Sequence, residues 1–190
     1  MRLFEEFSEN DEEMSFSVSL LLAHPSQTQG YFRHTIVLLI VHSVEKGSLG
    51  LILNRPLNQT LGEHDTDFSD TELASVPLYD GGPVEQNQLT LIVWKQDSEG
   101  NVKFYFGIKP AKACEIIAKD PEFKIRGFLG YSGWSKGQLE GELKMHAWVL
   151  TGLTAELSEL DGPNAWYTLL ASEGPEMRLL AGEPEDPSLN

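Results

Sequence analysis

Apolar positions along this chain fall into two rhythms, one of strands and one of helices. Residues 16–23 are largely apolar and stop short of Pro25. Residues 35–42 are β-branched and almost wholly apolar, which predicts a strand buried on both faces. A Glu45-Lys46-Gly47 turn then leads into residues 48–53, the short link of a hairpin. Residues 88–95 and 101–106 flank Asp97-Ser98-Glu99-Gly100, another turn-forming sequence. Residues 126–131 and 147–151 complete seven predicted strands. Helical spacing is rarer. Residues 110–119 bring Ala113, Cys114 and Ile117 to one face and stop at Asp120-Pro121. Residues 136–145 place Leu139 and Leu143 four apart, and residues 163–171 begin on a proline, turn Trp166, Leu169 and Leu170 inward and end before Gly174. Strands with hairpin-length links and three or four helices predict an α+β fold. Its mixed, mainly antiparallel sheet bends on itself with the helices packed outside.

The 190 residues suit one domain, residues 15–181, between an acidic tail at 1–14 and a Pro- and acid-rich tail at 182–190. Six acids stand in the first tail: Glu5, Glu6, Glu9, Asp11, Glu12 and Glu13. Over the chain 14 Lys and Arg face 29 Asp and Glu, a net charge of −15. Such a surface repels phosphate backbones and anionic lipid, so direct DNA binding and membrane association are not expected. A single cysteine, Cys114, makes neither an internal disulfide nor a thiolate zinc site, and on the apolar face of its helix it reads as buried and inert. An acidic N-terminus is unlike a signal peptide and the apolar run at 36–41 is too short to span a bilayer, so the expected location is the cytoplasm.

Walker, dinucleotide-binding, HExxH and CxxC patterns are absent. Gly133-Trp134-Ser135-Lys136-Gly137 matches the G-x-S-x-G elbow of serine hydrolases. However, His146 precedes Asp161, the wrong order for the triad partners, and only 55 residues follow Ser135. A helix-capping role for the Ser135 hydroxyl explains the pattern as well. The five histidines are too dispersed to predict a metal site, and no cofactor is implied.

Three polar, glycine-rich segments stand at strand ends: Asn54-Arg55-Pro56, Asp80-Gly81-Gly82-Pro83, and the stretch from Gly130 to Glu142. They read either as turns that need glycine or as a ligand site. The ligand reading names Asn54, Arg55, Gly81, Gly82, Tyr131, Trp134, Gln138 and Glu140, with the segments meeting on one side of the fold and Arg55 paired to Glu140.

On these blocks the chain resembles the AlgH/YqgE family of bacterial proteins. Leu21-Leu22-Ala23, Phe32-Arg33-His34-Thr35 and the apolar run after it look like the family's opening. His42, the stretch from Gly47 to Pro56, Gly81-Gly82-Pro83-Val84, the stretch from Phe128 to Trp134, Gly137-Gln138-Leu139-Glu140 and Ala147-Trp148 follow in the family's order. The chain departs from that pattern at Gln29-Gly30 and Val93-Trp94. The resemblance implies a sheet curled into a partly open barrel. One branch carries a label of transcriptional regulator, and the resemblance brings no catalytic residues with it. The function expected is binding of a small-molecule ligand or a protein partner, with a regulatory outcome. The alternative is an enzyme with a polar pocket near Arg55, the Gly81-Gly82 turn and the loop from Gly130 to Glu140.

Overall fold

The structure is a computed structural model and describes residues 14–16, 19–27, 29–97, 101–153 and 156–182. Of the tails expected at 1–14 and 182–190, residues 1–13 and 183–190 lie outside the described residues, as do residues 98–100 of the expected turn, while Met14 belongs to a strand and Gly182 to a helix. Ten strands form one sheet: β1 (Met14–Phe16), β2 (Ser19–Ala23), β3 (Ile36–Ser43), β4 (Gly47–Ile52), β5 (Pro56–Thr60), β6 (Pro77–Asp80), β7 (Val84–Gln96), β8 (Val102–Phe106), β9 (Lys124–Trp134) and β10 (Trp148–Gly152). Among the described residues five α-helices join them: α1 (Leu61–His64), α2 (Pro110–Lys119), α3 (Gln138–Lys144), α4 (Gly162–Ser172) and α5 (Pro175–Gly182). The seven predicted strands are present. β1, β5 and β6 add to them, and so do the single-turn α1 and the helix α5 beyond Gly174.

The main path runs β1-β8-β7-β9-β4-β3-β2-β10, and β5 and β6 branch from it through a β6–β9 pair. Every pair is antiparallel except β6 with β9, and the sheet does not close, since β1 and β10 stand at opposite ends of the path. β9 is the pivot. Its first half pairs with β7 on one side and with β6 on the other, in the register Leu78↔Gly127 to Asp80↔Leu129. Past Gly130 it changes neighbour, and Ser132 to Trp134 pair with β4.

Alternation along the strands sorts side chains into three cores. Leu20, Leu22, Ile36 and Leu38 join Ile92, Trp94, Phe104, Phe106 and Phe128 in the largest core, inside the bend of the sheet. Trp166, Leu169 and Leu170 of α4 complete that core, with Trp166 Nε1 donating to Ala23 O at 2.9 Å. Leu91 and Val93 point the other way, onto α2 and Leu61 of α1. Leu21, Ala23 and Val37 point outward onto Leu139 of α3. The first half of β3 is buried on both faces as its composition predicts, but His42 near its end is exposed.

α2 starts on Pro110 and ends with the Asp120 N–H bonded to Ile116 O. It buries Ala113 and Ile116, whereas Cys114 is half-buried rather than buried. Burial, followed by the charge and hydrogen bond of Glu72, pushes the Cys114 thiol above its ordinary pKa. Among the described residues no helix is long and apolar enough to cross a membrane.

Candidate functional site

Asn54 and Arg55 occupy the bend between β4 and β5. Asn54 is 5% exposed. Its Oδ1 accepts from Ile36 N at 2.9 Å, and its Nδ2 donates to His34 O at 2.9 Å and Gly162 O at 3.2 Å. Asn54 therefore sews the start of β3 to the start of α4, a structural duty that uses its whole amide. Arg55 reaches the loop before β3. Its Nη2 donates to Tyr31 O and to Arg33 O, and its Cζ lies 4.9 Å from the Tyr31 ring centroid.

The expected partner Glu140 is not the one Arg55 meets. Arg55 Nη1 lies 3.7 Å from Asp80 Oδ2, at the end of β6, with the two side chains 28% and 24% exposed. Asp80 is near because the β5–β6 pairing sets Pro56 opposite Tyr79, and Asp80 N–H donates to Arg55 O at 2.9 Å. Asp80 Oδ1 accepts from the Tyr31 hydroxyl at 2.5 Å and from Gly82 N at 3.1 Å. Burial first, then the hydrogen bond and charge of Asp80, push the Tyr31 pKa up to about 12, with Gln86 and Arg55 acting the other way. Among the described residues neither Arg55 Nη1 nor Asp80 Oδ2 makes a hydrogen bond. A donor and an acceptor thus stand side by side, 3.7 Å apart.

The neighbouring glycines have a backbone explanation. A Cβ on Gly81 would sit 2.3 Å from Gly130 O, and one on Gly82 would sit 2.2 Å from the Tyr131 carbonyl carbon. Gly81 O accepts from Ile52 N at 3.0 Å and from Ser132 Oγ at 3.2 Å, while Gly81 N donates to Leu129 O at 2.9 Å. Gly81 bridges β4 and β9 at the point where β9 changes neighbour. The three polar segments do meet here, through Asn54-Arg55, Gly81-Gly82 and Gly130-Tyr131. Tyr131 is 8% exposed and packs into the inner core.

Trp134, Gln138 and Glu140 form a second group. The Tyr31 and Phe32 rings link it to the first, edge-on at 5.5 Å, with Phe32 stacked on Trp134 at 6.3 Å. Glu142 Oε2 accepts from Trp134 Nε1 at 2.8 Å and from Trp148 Nε1 at 2.7 Å, and Gln138 Nε2 donates to Glu142 Oε1 at 2.9 Å. Gln138 Oε1 accepts from Ser135 N at 3.0 Å. The cap of α3 is Gly137, at φ 73°, so Ser135 is not the capping residue. Glu140 Oε1, buried and without a hydrogen bond, lies 3.7 Å from His42 Nε2, and His42 Nδ1 is 2.8 Å from Ser48 Oγ. Tyr31, Asp80, Glu142 and the His42–Ser48 pair were not among the predicted site residues. Asp80 and Glu142 did lie within the polar segments, Asp80 as an acid abutting the Gly81-Gly82 turn.

Of the other histidines, His34 touches the first group through its backbone carbonyl, which accepts from Asn54 Nδ2. His34 lies against the Trp166 ring, 4.2 Å between centroids, and its pKa is lowered by burial and then by Arg33. His24 is lowered by burial and then by His146. Among the described residues no three His, Cys, Asp or Glu side chains gather as a metal site would require.

Residues 20–178 match the family described as AlgH-like. A UPF0301 protein of Parabacteroides distasonis is 33% identical over 181 residues, covering 90% of each chain. A UPF0301 protein of Chlorobium limicola is 34% identical, covering 90% of this chain and 94% of its own. The solution structure of AlgH from Pseudomonas aeruginosa superposes with a TM-score of 0.62 at 23% identity, covering 93% of this chain and 98% of that one. The crystal structure of a Corynebacterium diphtheriae protein does so with a TM-score of 0.66 at 20% identity, covering 96% and 98%. These two structures share the fold.

Proposed function

The chain belongs to the AlgH-like family, and we propose that it acts as a binding protein for a compact polar ligand at the Arg55–Asp80 pair. The observation that carries this reading is the loose ion pair between Arg55 Nη1 and Asp80 Oδ2, 3.7 Å apart, two atoms that make no hydrogen bond among the described residues. A gap of that length is no hydrogen bond. It suits a ligand that offers an acceptor beside a donor, as an amide or an amino acid does, and the Tyr31 ring forms one wall. Any regulatory outcome would then follow from ligand occupancy or a protein partner.

Melting of the full chain in the presence of amides, amino acids and simple carboxylates tests this. A ligand of the first two kinds should stabilise the protein, and Arg55→Lys and Asp80→Asn should each remove the effect. Stabilisation untouched by both substitutions would sink the reading.

A second reading, an enzyme, rests on the Ser48–His42–Glu140 row. Ser48 is only 4% exposed, so its hydroxyl has little access to a substrate. Ser135 is exposed and follows Trp134, the strand partner of Ser48. Covalent capture of Ser48 by a fluorophosphonate would favour the enzyme, while Ser135→Ala should change no activity that is found.

A further inference from the structure

The sheet and its branch end on β1, β5 and β10, and each of these strands has an edge that pairs with no other strand among the described residues. A free edge is a row of unused backbone donors and acceptors, which soluble proteins guard with short length, proline, bulges or charge. Two of these edges are guarded so. β1 is three residues long and follows Asp11-Glu12-Glu13 in the chain. β5 opens on Pro56, and its register against β6 shifts between Pro56 and Thr60, where Asn58 sits at φ 52°.

β10 has none of these devices. Its five residues pair with β2 in unbroken register, from Trp148↔Ala23 to Gly152↔Ser19. Residues 147–155 contain no proline and no acidic or basic side chain, in a chain of net charge −15.

The ladder decides which backbone groups face the open edge. His24 N donates to Ala147 O at 3.0 Å, one step before β10 and in the same register. Hydrogen-bonded and non-hydrogen-bonded pairs alternate along an antiparallel ladder. Val149 and Thr151 therefore turn their N–H and C=O groups to β2, while Trp148, Leu150 and Gly152 turn theirs away. β2 agrees, since Ala23, opposite Trp148, points its own N–H to the far side, to Thr35 O at 3.0 Å. Leu150, in the middle of the strand, is also 55% exposed, opposite Leu21 of the outward-facing set.

We propose that β10 pairs with β10 of a second copy of this chain, antiparallel, about a two-fold axis at Leu150. The outward groups are spaced symmetrically about Leu150, so the strand is its own complement. Leu150 exchanges both bonds with the second copy's Leu150, and Trp148 does so with the second copy's Gly152. The two Leu150 side chains then meet, about 5.5 Å apart at Cα. Charge selects this occupant. Two chains of −15 repel over most of their surfaces, and an uncharged edge is where they approach with least repulsion. A basic partner would find no acid on this strand. The contact is separate from the Arg55–Asp80 pair and requires no ligand there. One five-residue strand buries little area, so the dimer is weak and reversible.

Sedimentation of the full chain from about 1 µM to about 1 mM tests the proposal. A monomer–dimer equilibrium should appear in that range. It should tighten as sodium chloride rises from about 0.05 M to about 0.5 M, because salt screens the repulsion between copies and leaves a neutral contact alone. Leu150→Glu sets two acids against each other at the axis and should raise the dimer Kd at least about tenfold, while its exposed position spares the fold. Amide exchange of the unaltered chain gives a readout that no variant can confuse. The Leu150 and Gly152 N–H groups should slow as protein concentration rises, and those of Val149 and Thr151 should be slow throughout. A monomer across the whole range, a dimer that salt weakens or that Leu150→Glu leaves unchanged, or open-ended growth would each overturn the proposal. Leu150 and Gly152 amides equally protected in the dilute monomer would mean that the edge is covered within one chain, and would overturn it too.

Discussion

At the scale of single residues, several polar side chains around the candidate site hold the fold together, Asn54 by tying the start of β3 to the start of α4. Glu142 is the plainest case, because one carboxylate oxygen serves two tryptophans of 5% and 4% exposure. Glu142→Leu should cost about 3 kcal/mol in urea unfolding, since it orphans two indole N–H groups, while Glu142→Gln should cost about 1. Tyr31 offers a pH test. Its folded pKa is raised to about 12 from 10.0, so the neutral phenol is the form that the fold favours. The stability that follows is complete below pH 10 and is lost as pH rises through about 12. A tyrosinate band appearing only near that pH, and a flatter alkaline stability profile in Tyr31→Phe, are the expected results. Sequence reasoning gave Arg55 the wrong acid. The β5–β6 pairing that brings Asp80 within reach rests on a polar five-residue strand and a four-residue one, too short to display a period. Glu140 was attractive as an acid in a helix's first turn, yet that helix faces His42 instead.

At the scale of elements, apolar runs made the long central strands legible. β5 and β1 escaped notice, as polar or short strands at margins of the sheet do. Gly174 does end α4, but the chain turns there at φ 138° and starts again as α5, a restart that a reading of stop signals does not anticipate. The glycines test this level most directly. At Gly130, φ is 72° and a Cβ would lie 2.5 Å from Gly82 O, at the point where β9 changes neighbour. Gly130→Ala therefore confronts rigid backbone as well as an unfavourable dihedral. It should lower stability by several kcal/mol, as should Gly82→Ala. Gly141, inside α3, has nothing within 4 Å of a built Cβ. Gly141→Ala should stabilise the protein by about 1 kcal/mol, the difference in helix propensity. Chemical denaturation of the three variants side by side checks both signs, and a tolerated Gly130→Ala would mean that the β9 pivot is softer than its packing indicates.

At the scale of the whole molecule, the charge and the fold class were open to reading, while the pairing of Arg55 with Asp80 was not. Charge is a sum and fold class follows from element type and order. The site depends on one parallel β6–β9 register between segments some fifty residues apart. The expectation of a regulatory outcome raises the question of DNA, and the charges predict its answer. The net charge of −15 opposes approach to a phosphate backbone. Several cations are already engaged: Lys95 with Asp120 at 2.9 Å and with Glu122, Lys124 with Glu156, Lys112 with Glu115 at 3.5 Å, and Lys136 with Glu45. Arg126 is buried, and Arg55 spends one arm on carbonyls and turns the other toward Asp80. A DNA-binding face needs clustered cations free to displace counterions, and these ion pairs work against such a cluster. Full-length protein at nanomolar concentration should therefore give no sequence-specific mobility shift at about 0.15 M salt. Lowering the salt should yield at most weak binding of equal strength on every sequence. A specific shift that weakened with salt along a steep log–log slope would mean that several phosphates are being neutralised. That would require these lysines to leave their acids for the DNA.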